Sequence, residues 1–133
     1  MKQPAEEPIP ETVRRFIIEH INSVESLEVL LLLSAGTIRE YTAEEVSQVL
    51  RTSLESATAR LRELRRSKLL AAVENAGSLG YRFDPAAPGA KVVTDLEKVY
   101  KTRRVSVISF IYANPTDPLR AFSDAFRLRK DES

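Results

Sequence analysis

The chain has 133 residues, 43% hydrophobic and 29% charged, the balance of one soluble domain with a real core. Lys and Arg number 20 against 19 Asp and Glu, so the net charge of +1 supplies no bulk attraction to nucleic acid. The absence of cysteine excludes disulfides and thiol chemistry, the single histidine, His20, excludes a His-rich metal cluster, and four scattered glycines exclude a Walker loop or a dinucleotide fingerprint. No cofactor and no metal are expected.

The N-terminal MKQPAEEPIP is acidic and rich in proline, which predicts a flexible tail over residues 1–10 and no signal peptide. The longest apolar runs, Val29 to Leu33 and the mixed Val105 to Ala113, fall far short of the roughly 20 residues of a spanning helix. A cytoplasmic protein without a membrane segment is expected. The prolines lie at 4, 8, 10, 85, 88, 115 and 118, so residues 11–84 form a proline-free block able to carry continuous helices.

Within that block, Val13, Phe16, Ile17 and Ile21 have helical spacing over Glu11 to Asn22. Ser26 to Ala35 is apolar nearly all round, which predicts a central core helix stopped by Gly36. Thr42 opens TAEEVSQVL, a capping box with Glu45, and Val46, Val49 and Leu50 form the predicted buried face. Thr52 or Ser53 caps the next helix, about Leu54 to Arg66, with an apolar stripe of Leu54, Ala57, Leu61 and Leu64. Leu69 to Glu74 and Leu79 to Asp84 then read as strands of a β-hairpin around Asn75-Ala76-Gly77-Ser78, with Tyr81 and Phe83 alternating with Arg82.

Gly89 to about Ala113 reads as one long helix or two collinear pieces interrupted at Arg103 and Arg104. Asp117 and Pro118 suit the start of a last helix, Leu119 to Arg129. The chain therefore divides into a tail (1–10), a proline-free domain (11–84) and a C-terminal helical arm (85–133).

The run TAEEVSQVLRTSLESATARLRELRRSKLLAAVENAGSLGYRF, Thr42 to Phe83, resembles the winged helix-turn-helix motif of bacterial transcriptional regulators of the MarR-like and ArsR-like kind. The shared features are the capped second helix, the Ser/Thr-rich start of the third, the Leu-x-x-Leu stripe, the Leu-Leu strand start and the glycine-containing wing. The implied fold is mainly α with a small β-hairpin wing, a winged helix-turn-helix plus a C-terminal helical arm. One position departs from the pattern. Lys68 stands where these families usually have glycine, so the third helix either takes a costlier backbone conformation at its exit or ends differently.

The resemblance implies double-stranded DNA as partner, with the third helix in the major groove and the hairpin as wing. Carried over by position, Thr52, Ser53, Glu55, Ser56, Ala59, Arg60, Arg62 and Arg66 face DNA from the helix, and Asn75, Ser78 and Arg82 from the wing. Ser53 equally suits a plain helix cap, and the arginines a solvated helix end complementing the dipole. Glu55 and Ala59 are poor phosphate partners.

Val107, Ile108, Phe110, Ile111, Phe122 and Phe126 in the arm need cover, which predicts a homodimer, a fold-back onto the core, or a protein partner met by the C-terminal helix. Two function classes follow: a dimeric DNA-binding regulator, or a winged-helix protein-protein interaction module without specific DNA binding. No constellation of nucleophile, base and oxyanion donors points to an enzyme. Charge favours the first. Residues 1–50 hold 4 basic and 9 acidic side chains, net −5, whereas residues 51–82 hold 7 and 3, net +4, on the predicted recognition helix and wing.

Overall fold

The computed structural model describes residues 9–113. Helix α1 (Glu11–His20) follows Pro10, whose carbonyl accepts the amides of Val13 and Arg14 at 3.0 and 2.9 Å. Val13, Phe16 and Ile17 fall on its buried face, as their spacing predicts, and Ile21 continues it. Helix α2 (Val24–Ser34) starts on Ser23, whose hydroxyl accepts the Ser26 amide at 3.0 Å. Leu27, Val29, Leu30 and Leu33 are completely buried, so the helix that is apolar all round is the centre of the core. Gly36 follows its end at φ +58°, a conformation glycine takes cheaply.

A short strand β1 (Tyr41–Thr42) leads into α3 (Ala43–Leu50), which opens with the expected capping box. The Thr42 hydroxyl accepts the Glu45 amide at 3.1 Å, and the Glu45 carboxylate accepts the Thr42 amide at 2.9 Å. Arg51, at φ +56°, turns the chain into α4 (Leu54–Arg66), capped by Ser53. Strands β2 (Leu70–Asn75) and β3 (Ser78–Phe83) follow. Helix, turn, helix and hairpin thus come in the order of a winged helix-turn-helix, and the fold is mainly α with a small sheet.

Two residues of the expected apolar faces lie elsewhere. Val46 is fully buried, but Val49 is 55% exposed, because the eight-residue α3 turns only its Val46 side fully inward. Leu54 is 47% exposed while Ala57, Leu61 and Leu64 are fully buried, because the first residue of α4 overhangs the hairpin rather than α2.

The sheet has three strands, not two. All pairs are antiparallel in the order β1-β3-β2, with Tyr41 opposite Tyr81 and Thr42 opposite Gly80. Two residues are too few for alternation to be read in a sequence. The hairpin closes on Asn75 opposite Ser78, with Ala76 at φ +49° and Gly77 at φ +80°, the pattern of a two-residue type I′ turn.

The exit of α4 resolves the Lys68 departure. Lys68 takes φ +70°, its amide bonds the Arg65 carbonyl at 2.8 Å, and the Leu69 amide reaches the Leu64 carbonyl at 3.1 Å. This is a Schellman motif with lysine in the place glycine usually takes. The accompanying apolar contact positions, Leu64 and Leu69, are both fully buried.

Beyond the sheet the chain breaks at Arg103 (φ −134°, ψ 53°) into α5 (Ala90–Thr102) and α6 (Arg104–Ala113). Val93, Leu96, Val99 and Tyr100 join the core that α1 and α2 build. So do Val107 and Ile111, with Ile108 and Phe110 half-buried against them. At Val107 and Ile111 the cover comes from within the chain, the fold-back alternative, while Ile108 and Phe110 keep part of their surface exposed. The exposed apolar residues of α6 are instead Val105 (76%) and Tyr112 (65%). Phe122, Phe126 and the expected last helix lie outside the described residues.

Candidate nucleic-acid interface

Helix α4 presents two polar stripes, and they face different ways. Ser53 accepts the Ser56 amide at 3.0 Å, so its hydroxyl serves as the helix cap. Thr52 and Ser56 both donate their hydroxyl protons to the carboxylate of Glu25 on α2. Arg60 places Nη1 3.8 Å from the same carboxylate and bonds Glu63 through Nη2 at 2.9 Å. Three residues expected to face DNA therefore direct polar atoms at a neighbouring helix. Burial pushes the Glu25 carboxyl upward, but the hydrogen bonds from Ser56 and Thr52 and the Arg60 charge outweigh it and hold it below the usual carboxylate value.

The second stripe is Leu54, Thr58 and Arg62. Two residues along a helix is a rotation of about 200°, so this line lies nearly opposite Ser56 and Arg60. It borders a groove of about 390 Å³ between α4 and the hairpin, whose far wall is Leu79 and Tyr81. An adjoining concavity of about 390 Å³ is lined by Arg62, Arg65, Arg66, Leu79 and Tyr81. Among the described residues Arg62, Arg65 and Arg66 make no ion pair, in contrast to Arg60. An exposed, unneutralised guanidinium keeps its donors for phosphate or guanine.

Glu55 is exposed and Ala59 half-buried. On the wing, Ser78 is exposed beside the groove, while Asn75 donates to Glu40 at 3.1 Å and is tied to the loop before β1. Arg82 is exposed but follows Tyr81 on β3, so alternation points it away from the groove. It borders a separate concavity with Ile38, Ala71 and Asp84. The hairpin tip carries Glu74 and no cation.

Thr58, Arg65, Leu54 and Leu79 line these two concavities without standing among the residues expected to face DNA. The helical line Leu54, Thr58, Arg62 was present in the spacing. Nothing in the spacing says which of two polar lines meets α2, because that depends on Glu25, 27 residues before Thr52.

A further concavity, about 360 Å³, lies between α1 and the start of α5 and includes Phe16, His20, Gly89 and Val92. His20 is half-buried with its ring 4.7 Å from Phe16. Burial holds its pKa below the ordinary value, with Glu19 opposing. Among the described residues, no group of three or more His, Cys, Asp or Glu is placed to hold a metal, and no helix is long and apolar enough to cross a membrane.

No family model matches the chain, and no curated protein matches it. Among solved structures, a MarR family protein from Bacillus stearothermophilus is similar in fold, with 16% identity, a TM-score of 0.48, and coverage of 90% of this chain and 81% of that chain.

Proposed function

We propose that the chain is a DNA-binding transcriptional regulator that acts as a homodimer, with α4 in the major groove and the β2–β3 hairpin as wing. The observation that carries this reading is the outward stripe of α4. Arg62, Arg65 and Arg66 stand unneutralised beside the hairpin, in the part of the chain with a net charge of +4. A helix bearing free arginines next to a projecting hairpin is the geometry by which winged helices meet a groove and its phosphates. Arg62 and Arg65 take the role of forked donors, and Ser78 that of a short hydroxyl contact. The reading assigns no reaction to the protein.

Binding to genomic DNA fragments across a salt series tests it. Affinity is expected to fall as a power law in salt. An Arg62→Ala, Arg65→Ala double variant is expected to bind more weakly and to lower the slope by about 0.9 for each phosphate it no longer neutralises. Wild-type protein without DNA preference at low salt sinks the reading.

One observation favours a second reading, a protein-protein interaction module. Leu54 and Leu79, 47% and 42% exposed, face each other across the same groove, and an apolar wall suits a partner side chain. Capture of a defined protein that is abolished in Leu54→Ser, with DNA binding absent, would establish that alternative.

A further inference from the structure

We infer that Glu25 is the positioning residue of the recognition helix: its single carboxylate, on α2, sets the rotation of α4 about its axis and thereby which stripe faces outward. This rests on the DNA-binding reading for its consequence but not for its geometry.

Two hydroxyl donors and one cation converge on the carboxylate from one side of α4. Thr52 reaches it from the turn, Ser56 from the first turn of the helix, and Arg60 from the next. Ser56 and Arg60 are four residues apart and so lie on one line of the helix surface. Burial of Ala57, Leu61 and Leu64 fixes which face of α4 meets the core, but the hydrophobic effect is non-directional and leaves the final rotation to directional contacts. Hydrogen bonds to a charged acceptor are directional and strong. With the Ser56–Arg60 line turned to α2, the Leu54–Thr58–Arg62 line, about 200° away, must face the hairpin.

Two features make the arrangement specific to Glu25. It stands in the first turn of α2, where the free amides and the positive dipole end favour an anion. Arg60 is also held from its own helix by Glu63 at 2.9 Å, so its guanidinium is fixed before it meets Glu25. The three residues are thereby withdrawn from DNA and act on it only through orientation.

The test uses the cysteine-free chain of 133 residues with spin labels at Glu55→Cys and Ser78→Cys, both exposed positions on α4 and the wing. In otherwise unaltered protein the distance distribution is expected to be narrow. Glu25→Ala, checked for helical content by circular dichroism, is expected to shift or broaden it, and Glu25→Gln, which still accepts one hydroxyl proton, to lie between. If α4 then presents its outer stripe for only about a tenth of the time, DNA affinity falls about tenfold. An unchanged distance distribution in a folded Glu25→Ala protein overturns the proposal. So does a changed distribution with unaltered DNA affinity. If the wild-type protein binds no DNA, the regulator reading fails while the distance measurement still decides the role of Glu25.

Discussion

The Tyr100 hydroxyl donates to Glu28 at 3.1 Å, joining α5 to α2 across 72 residues of sequence, and the guanidinium of Arg104 lies 4.9 Å over the Tyr100 ring. Arg104 also sits 3.4 Å from Glu28, so the junction of α5 and α6 is tied to the central helix by one carboxylate. Tyr100→Phe is expected to lose about 1 kcal/mol, the worth of one hydrogen bond to a partly solvated charge. Urea denaturation measures it. The Tyr100 pKa is raised, first by burial and then by the Glu28 charge and hydrogen bond, with Arg104 opposing. The contribution is therefore present below the ordinary value of 10.0 and lost as pH rises through the folded value. Tyr100→Phe removes that alkaline dependence.

Acid acts on other groups. The pKa values of Glu25 and His20 are both lowered in the fold, from ordinary values of 4.5 and 6.5. Between folded and ordinary values the unfolded chain binds more protons, so stability is present above the ordinary value and declines as pH falls. The decline from His20 begins near 6.5 and that from Glu25 near 4.5. Melting temperatures followed from pH 7 downward are expected to show a shallower acid limb below 4.5 in Glu25→Gln than in wild type.

Lys68→Gly is expected to stabilise the protein. Lys68 is exposed and held at φ +70°, where a side chain is strained and glycine is not. Relief of that strain, less the greater freedom glycine has in the unfolded chain, leaves a gain of about 0.5–1 kcal/mol. A lower stability for the glycine variant in chemical denaturation would contradict the Schellman assignment.

The two sides of α6 should answer differently to substitution. Ile111→Ala opens a cavity in the core and is expected to cost about 2–5 kcal/mol. Val105→Ser, on the exposed side, is expected to stay within about 0.5 kcal/mol. If α6 also carries the homodimer contact, the Val105→Ser, Tyr112→Ser double variant sediments as a monomer at concentrations where wild type sediments as a dimer. A wild-type monomer at all concentrations contradicts the dimer.

Much of this protein was legible along the chain because the chemistry is local. The capping box of Thr42 and Glu45 and the cap of Ser53 join residues three apart, within one helical turn. The buried faces of α1 and α2 follow from periodicity, and the anomaly at Lys68 from the demand for positive φ at a helix exit. Strand β1 leaves no mark along the chain because two residues carry no period, and its pairing with β3 depends on Tyr81, 40 positions from Tyr41.

The facing of α4 was decided only in three dimensions. Its sequence offers Ser56 and Arg60 on one line and Thr58 and Arg62 on another, and both are credible polar surfaces. A carboxylate at Glu25 draws the first line inward and leaves the second for the groove. The covering of Val107 and Ile111 has the same origin, since an apolar side chain is indifferent to whether its own core or a partner buries it. Periodicity reports that a face is sticky; the packing of α1, α5 and α6 determines what it sticks to.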